Sequence, residues 1–156
     1  MAMIRTISLS IESRPECIEL LSYALHGLCP LLMLPAEELA KVELAMVEAV
    51  NNVVEHAYGF EPAHRVWVEF ELTPERFGLR VSDCGQSMPP GRLAAVQGFE
   101  DPDPKDLDAC TLRTRGLEII QRCMDTVEYE VRDGVNTLSM SRSLVGSSET
   151  NPVKIV

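Results

Sequence analysis

Apolar positions alternate at Ile7, Leu9 and Ile11 within IRTISLSI, residues 4–11, which predicts a strand with one hydrophobic face. The period then lengthens. Ile18, Leu21, Leu25 and Leu28 recur every three or four residues. They follow Ser13, Pro15 and Glu16, a helix-start signature with Ser13 as the cap. After the punctuation of CPLLMLP, a second and longer helix is predicted over 35–57, carried by Leu39, Val42, Met46, Ala49, Val53 and Ala57. Alternation returns at Val66, Val68, Phe70 and Leu72 and again at Phe77, Leu79 and Val81, an antiparallel hairpin around TPER. Residues 84–113 are irregular, with four prolines, three glycines and the acidic run EDPDPKDLD. A loop of that length in a compact domain is functional or disordered. A helix over 116–124 follows, and Val127, Tyr129 and Val131 then pair through RDG with Leu138 and Met140. The order strand, helix, helix, hairpin, loop, helix, hairpin predicts an α+β sandwich, with a mixed, mostly antiparallel sheet covered by helices on one face. One domain is expected over residues 1–145, with a flexible tail over 146–156.

Composition narrows the function more than the fold. At 156 residues, 46% hydrophobic and 24% charged, the chain is that of a globular domain with a sizeable core. A net charge of −10 argues against nucleic acid, whose phosphates need a basic surface, and against an anionic membrane. The five cysteines form no C-x-x-C pair and the three histidines lie far apart, a pattern that suits a reducing cytoplasm rather than a disulfide framework or a zinc site. No stretch reaches the length of a membrane span, and the N-terminus has no long apolar core of a signal peptide.

Three places carry polar groups that packing alone does not require. On the second helix Glu48, Asn52 and His56 are each four apart, a line flanking the apolar stripe, with Asn51 beside it. A carboxylate there can act as a general base, and an amide oxygen one turn away can ligate a hard cation. A solvated helix face with incidental asparagines is the plainer alternative. In RVSDCGQSMPPG, residues 80–91, Asp83 ends an apolar strand just before Gly85. It serves either a turn, with Gly85 supplying an unusual φ, or a buried carboxylate that meets a base's exocyclic amine while Gly85 lets the ligand approach the backbone. In LRTRGLEII, residues 112–120, Gly116 opens a helix after Arg113 and Arg115, where free N–H groups and guanidinium charge favour phosphate.

Taken in order, E48-x-x-x-N52-x-x-x-H56-A-Y, D83-x-G85-x-x-M88 and R115-G116-L117-x-I119-I120 resemble the nucleotide-binding boxes of the GHKL ATPase superfamily, over about residues 5–142. EAVNNVVEHAY and RGLEIIQRCMDTVEY are most similar to the bacterial anti-sigma factors with serine-protein kinase activity, of the RsbW/SpoIIAB type. The resemblance implies a Bergerat-type fold that uses ATP and Mg²⁺. Glu48 would then take the proton from a substrate serine, and Asn52 would hold the Mg²⁺. Asp83, helped by Gly85 and Met88, would bind adenine, and Thr137 would reach the base through water. Residues 89–113 would be the ATP lid, with Arg113, Arg115, Gly116 and Leu117 at the phosphates. His56 fits the box and would order the helix end, and Asn51 offers at most a spare ligand. The implied partners are a STAS-type anti-sigma-factor antagonist, which is phosphorylated, and a sigma factor, which is sequestered. A cytoplasmic homodimer is implied as well. Two departures and alternatives stand beside this reading. Thr114 occupies a position where the family usually has glycine, which slows the lid or favours a binding module that switches partners without phosphotransfer. A histidine-kinase fragment fits less well, because the chain shows no dimerisation helix with a phosphoacceptor histidine. There is no Walker-type G-x-x-x-x-G-K-[ST] run.

Overall fold

The computed structural model describes residues 3–96 and 115–144. Its five strands are β1 (Arg5–Glu12), β2 (Arg65–Leu72), β3 (Arg76–Asp83), β4 (Thr126–Arg132) and β5 (Val135–Ser143), joined in one sheet in the order β1-β2-β3-β5-β4. Every neighbouring pair is antiparallel, so the mixed sheet expected from the sequence is corrected to a wholly antiparallel one. The reason lies in where the long connection after β3 lands. The chain next enters the sheet as β4 at its edge, two places from β3, and β5 turns back to fill the place between them. That return is a two-residue hairpin in which Asp133 and Gly134 both have positive φ, 51° and 77°, the conformation that matches the right-handed twist of its strands.

One face of the sheet is covered by α1 (Pro15–Gly27), the short α2 (Cys29–Leu32), α3 (Ala36–Asn52) and α5 (Arg115–Cys123), and a further short helix, α4 (Arg92–Ala95), follows β3. Alternation decides what each strand offers that layer. Val66, Val68, Phe70 and Leu72 on β2 and Phe77, Leu79 and Val81 on β3 are all buried, and the rings of Phe70 and Phe77 meet at 5.8 Å. The opposite face carries charge instead: Arg76 and Arg80 pair with Glu71 at 3.3 and 3.4 Å. On β1 the predicted apolar face is graded, from buried Ile11 through half-buried Leu9 to exposed Ile7, because the helices reach only one end of this edge strand.

Two helix expectations change. Ser13 does not cap α1. The residue before a proline is pushed into extended backbone. Arg14 accordingly takes φ −117° and ψ 135° and stands at the N-cap without a side-chain bond. Ser13 is buried, and its hydroxyl donates to the Glu61 carbonyl and accepts the His64 N–H, tying the start of α1 to the segment before β2. The helix predicted over 35–57 is continuous in space but changes kind. It is α-helical to Asn52 and then widens into a π turn over Val53–Ala57, closed by the Tyr58 N–H on the Val53 carbonyl at 3.0 Å. Its buried stripe is broader than predicted and adds Ala45, Val50 and Val54. Arg142 on β5 ties the start of this helix to the end of α5, bonding both Glu38 and the Cys123 carbonyl. The predicted tail and most of the predicted lid, including Arg113 and Thr114, lie outside the described residues.

Candidate functional site

A cleft of about 240 Å³ lies between the C-terminal half of α3 with its π turn, the end of β3 and the start of α5. Ala49, Val53, Val81, Leu117 and Leu138 supply apolar walls, and Met88 and Pro89 close one side. Polar groups enter from few points, chiefly Asn52, His56, Asp83 and Ser87. Mostly apolar walls with a few placed polar groups are the ordinary build of a small-molecule site.

At one end of the cleft Asp83 is 5% exposed. Its Oδ1 accepts the Gly85 N–H at 2.8 Å and the Asn136 amide at 2.7 Å. Burial raises its pKa, while the bonds from Asn136 and Gly85 act in the opposite sense. The segment that follows is held at almost every residue. The Tyr58 hydroxyl accepts the Cys84 N–H at 2.9 Å and donates to the Arg65 carbonyl at 2.8 Å. The Ala57 carbonyl accepts the Gln86 N–H at 2.9 Å, and the Tyr129 hydroxyl accepts the Met88 N–H at 2.9 Å. Gly85 is required here by the protein itself. A Cβ at this position would meet the Ala57 carbonyl oxygen at 2.5 Å, and its φ is not positive, so neither unusual φ nor ligand approach explains the glycine.

The other end is built differently. Glu48 and Asn52 stand one turn apart on α3, both half-buried, and Gly116 at the start of α5 presses against them. A Cβ on Gly116 would lie 3.0 Å from Glu48 Oε2 and 3.2 Å from Asn52 Oδ1. Burial alone raises the Glu48 pKa. Asn52 Nδ2 is buried without a hydrogen-bond partner among the described residues. A buried amide left so costs folding free energy, and such a group points to a missing ligand or a functional role.

Comparison with known proteins fits this geometry. The model of the histidine kinase-like ATPase domain matches residues 11–142. The chain belongs to the histidine kinase-like ATPase family. Among its relatives is the serine-protein kinase RsbW of Listeria innocua, 26% identical over 133 residues, with 85% of this chain and 83% of that protein covered. Another is RsbW of Bacillus velezensis, 26% identical over 140 residues, covering 90% and 86%. The fold is shared with the crystal structure of the RsbU and RsbW domains of a Mycobacterium tuberculosis protein, at TM-score 0.62 and 15% identity. That match covers 97% of this chain and 34% of the other, so the chain spans about a third of that structure. It is shared too with the SiaB–SiaC complex of Pseudomonas aeruginosa, at TM-score 0.58 and 16% identity, covering 88% and 89%. Among the described residues no helix is long and apolar enough to cross a membrane.

Within this ATPase fold, Asn52, His56, Asp83, Met88 and Leu117 line one cleft, and Glu48 and Gly116 stand together at its edge. Gly85 sits behind Asp83 against the π turn. Asn51 is half-buried and Arg115 is exposed, and neither lines the cleft. Thr137 is not brought to it. Its hydroxyl meets Ser82 at 3.0 Å on the opposite face of the sheet, and neighbouring Asn136 is the residue turned toward Asp83. A one-residue difference in register changes the face, which is how a strand-end assignment goes astray. Sequence reasoning gave no role to Tyr58, the last residue of its first box, and singled out none of Ser87, Asn136 and Tyr129 for the site. A signal existed for Asn136, a polar residue in the buried alternation Asn136, Leu138, Met140. The donor set suits the groups this family implies. The hard amide oxygen of Asn52 suits Mg²⁺, and its amide nitrogen, without a partner among the described residues, suits a phosphate oxygen.

Proposed function

We propose that this chain is an ATP-dependent serine-protein kinase that phosphorylates a STAS-type antagonist and sequesters a sigma factor, releasing or holding its partner by switching between the two. The observation that carries the reading is the convergence of Glu48, Asn52 and Gly116 beside a cleft that ends in buried Asp83. The RsbW relatives, similar over most of both chains, support the kinase reading. The SiaB–SiaC likeness supports the shared fold. The reading places the protein in the cytoplasm as a homodimer.

In this mechanism Asp83 accepts the exocyclic amine of adenine, and Met88 and Leu117 flank the ring. Asn52 would hold Mg²⁺, which would supply neutralisation of the phosphate charge. Glu48 orients the serine hydroxyl of the substrate protein and takes its proton as the oxygen attacks the terminal phosphorus, whose bond to the bridging oxygen breaks so that ADP leaves. Phosphoryl transfer asks mainly for positioning and charge neutralisation, and burial raises the pKa of the Glu48 carboxylate, the direction that strengthens a base. Gly116 keeps the approach to both groups open, since any side chain there would crowd them.

The test is to incubate the purified chain with Mg-ATP and its antagonist and to look for phosphoserine. Wild type should form it and Glu48→Ala should not. No phosphoserine from wild type, with ATP and ADP binding tightly by calorimetry, would select the partner-switching module without transfer, the reading that Thr114 favours.

A further inference from the structure

We propose that Asn136 is a positioning residue that sets the base preference of the cleft by holding Asp83 in one orientation. The proposal rests on the nucleotide-binding reading above and deepens it. Asn136 is 2% exposed and faces Asp83 across the β3–β5 register. Its amide nitrogen donates to Asp83 Oδ1 at 2.7 Å and to the Gly85 carbonyl at 3.1 Å, and its amide oxygen accepts the Ser87 hydroxyl at 2.7 Å. Two of the three partners, a carboxylate and a carbonyl, only accept, so the amide has one workable orientation. All three of its contacts are spent on the protein, and Asn136 does not itself line the cleft.

The consequence falls on Asp83. Among the described residues both hydrogen bonds to the Asp83 carboxylate land on Oδ1, and none takes up the second oxygen, which can meet a ligand. A carboxylate pinned this way is an acceptor only. It favours a purine with an amino group at the position it meets, and it opposes one with a carbonyl oxygen there, since two acceptors then face each other in a buried site. Without Asn136 the carboxylate loses its strongest tether. It is then free to turn, or to take a proton and donate to a carbonyl oxygen, and discrimination falls.

Binding of ATP and of inosine triphosphate, which carries oxygen in place of the amino group, is measured by calorimetry in Mg²⁺ buffer. Wild type should prefer ATP by about tenfold or more. Asn136→Ala should reduce that ratio by at least about threefold, chiefly through weaker ATP binding, and should have no further effect on the ratio in an Asp83→Asn background. Asn136→Leu, which fills the volume without a donor, carries the same expectation if the alanine variant does not fold. Equal weakening of both nucleotides, with the ratio unchanged in a folded variant, would overturn the proposal and leave Asn136 a stabilising residue only. Wild type that binds neither nucleotide would overturn the nucleotide-binding reading itself.

Discussion

The two ends of the cleft are built on opposite principles. Around Asp83 nearly every polar group has found a protein partner: Tyr58, Tyr129, Asn136 and the Ala57 carbonyl between them fix residues 83–88. Around Glu48 partners are fewer among the described residues. There the buried Asn52 amide nitrogen has no partner, burial raises the Glu48 pKa, and the bare backbone of Gly116 packs close to both side chains. The first end is preorganised, with its stability independent of ligand. The second holds groups that cost stability until a ligand completes them, as expected where charge is to be handled rather than stored.

The largest expected break in this comparison is at Glu48. Glu48→Gln should lower phosphotransfer by about 10³-fold while leaving the Kd for ATP within about threefold, the signature of a lost general base. The same variant should melt about 1–3 °C higher than wild type at neutral pH, since it removes a carboxylate whose ionisation the fold opposes. The sign is checkable against pH. A raised pKa means the folded state binds the proton more tightly than the unfolded one. Wild type therefore loses stability relative to Glu48→Gln as pH rises from the ordinary carboxylate value of 4.5 through the raised one. Transfer should fall in the opposite direction, as acid protonates the base.

Next in size is Asn52. Mg-ATP at a hundredfold excess over its Kd should stabilise wild type by about 2.7 kcal/mol, a rise of about 5–10 °C in Tm. Asn52→Ala should shrink that shift below about 2 °C. Without nucleotide it should change stability by no more than about 0.5 kcal/mol, because the buried amide nitrogen it removes has no partner among the described residues. Loss of stability without any loss of the nucleotide shift would contradict this account of Asn52.

Glycine replacements sharpen the contrast further. Gly85→Ala drives a Cβ into the Ala57 backbone and should cost about 2–4 kcal/mol by denaturant unfolding. Gly116→Ala meets only the ends of two side chains and should cost about 1 kcal/mol or less, yet slow transfer. Least felt in transfer is Tyr58→Phe, which removes one hydroxyl bridging Cys84 and Arg65 and should cost about 1–2 kcal/mol with transfer little changed.

The same contrast explains what was legible in the sequence. Elements were readable because period and burial agree: the alternation on β2 and β3 and the stripe on α3 each follow from one buried face. Glu48, Asn52 and Asp83 stood out as polar residues interrupting those patterns. The antiparallel course of the sheet was not readable, since no local pattern says that the connection after β3 passes over the place β5 will take. Nor was the split between Asn136 and Thr137, where adjacent polar residues at a strand end leave the face undecided until the register with Ser82 and Asp83 is known. Gly85 illustrates a third kind of gap. Its need for a bare backbone comes from Ala57, 28 positions earlier in the chain, and only the packed fold shows it.

The central claim is that the Glu48 end of the cleft transfers a phosphoryl group while the Asp83 end only binds. Single-turnover phosphoserine formation on a STAS-type antagonist, measured at saturating Mg-ATP for wild type and Glu48→Gln, tests it most directly. The account predicts phosphoserine from wild type and a loss of about 10³-fold in the variant, with both proteins equally loaded with ATP. Equal rates from the two loaded proteins would contradict it.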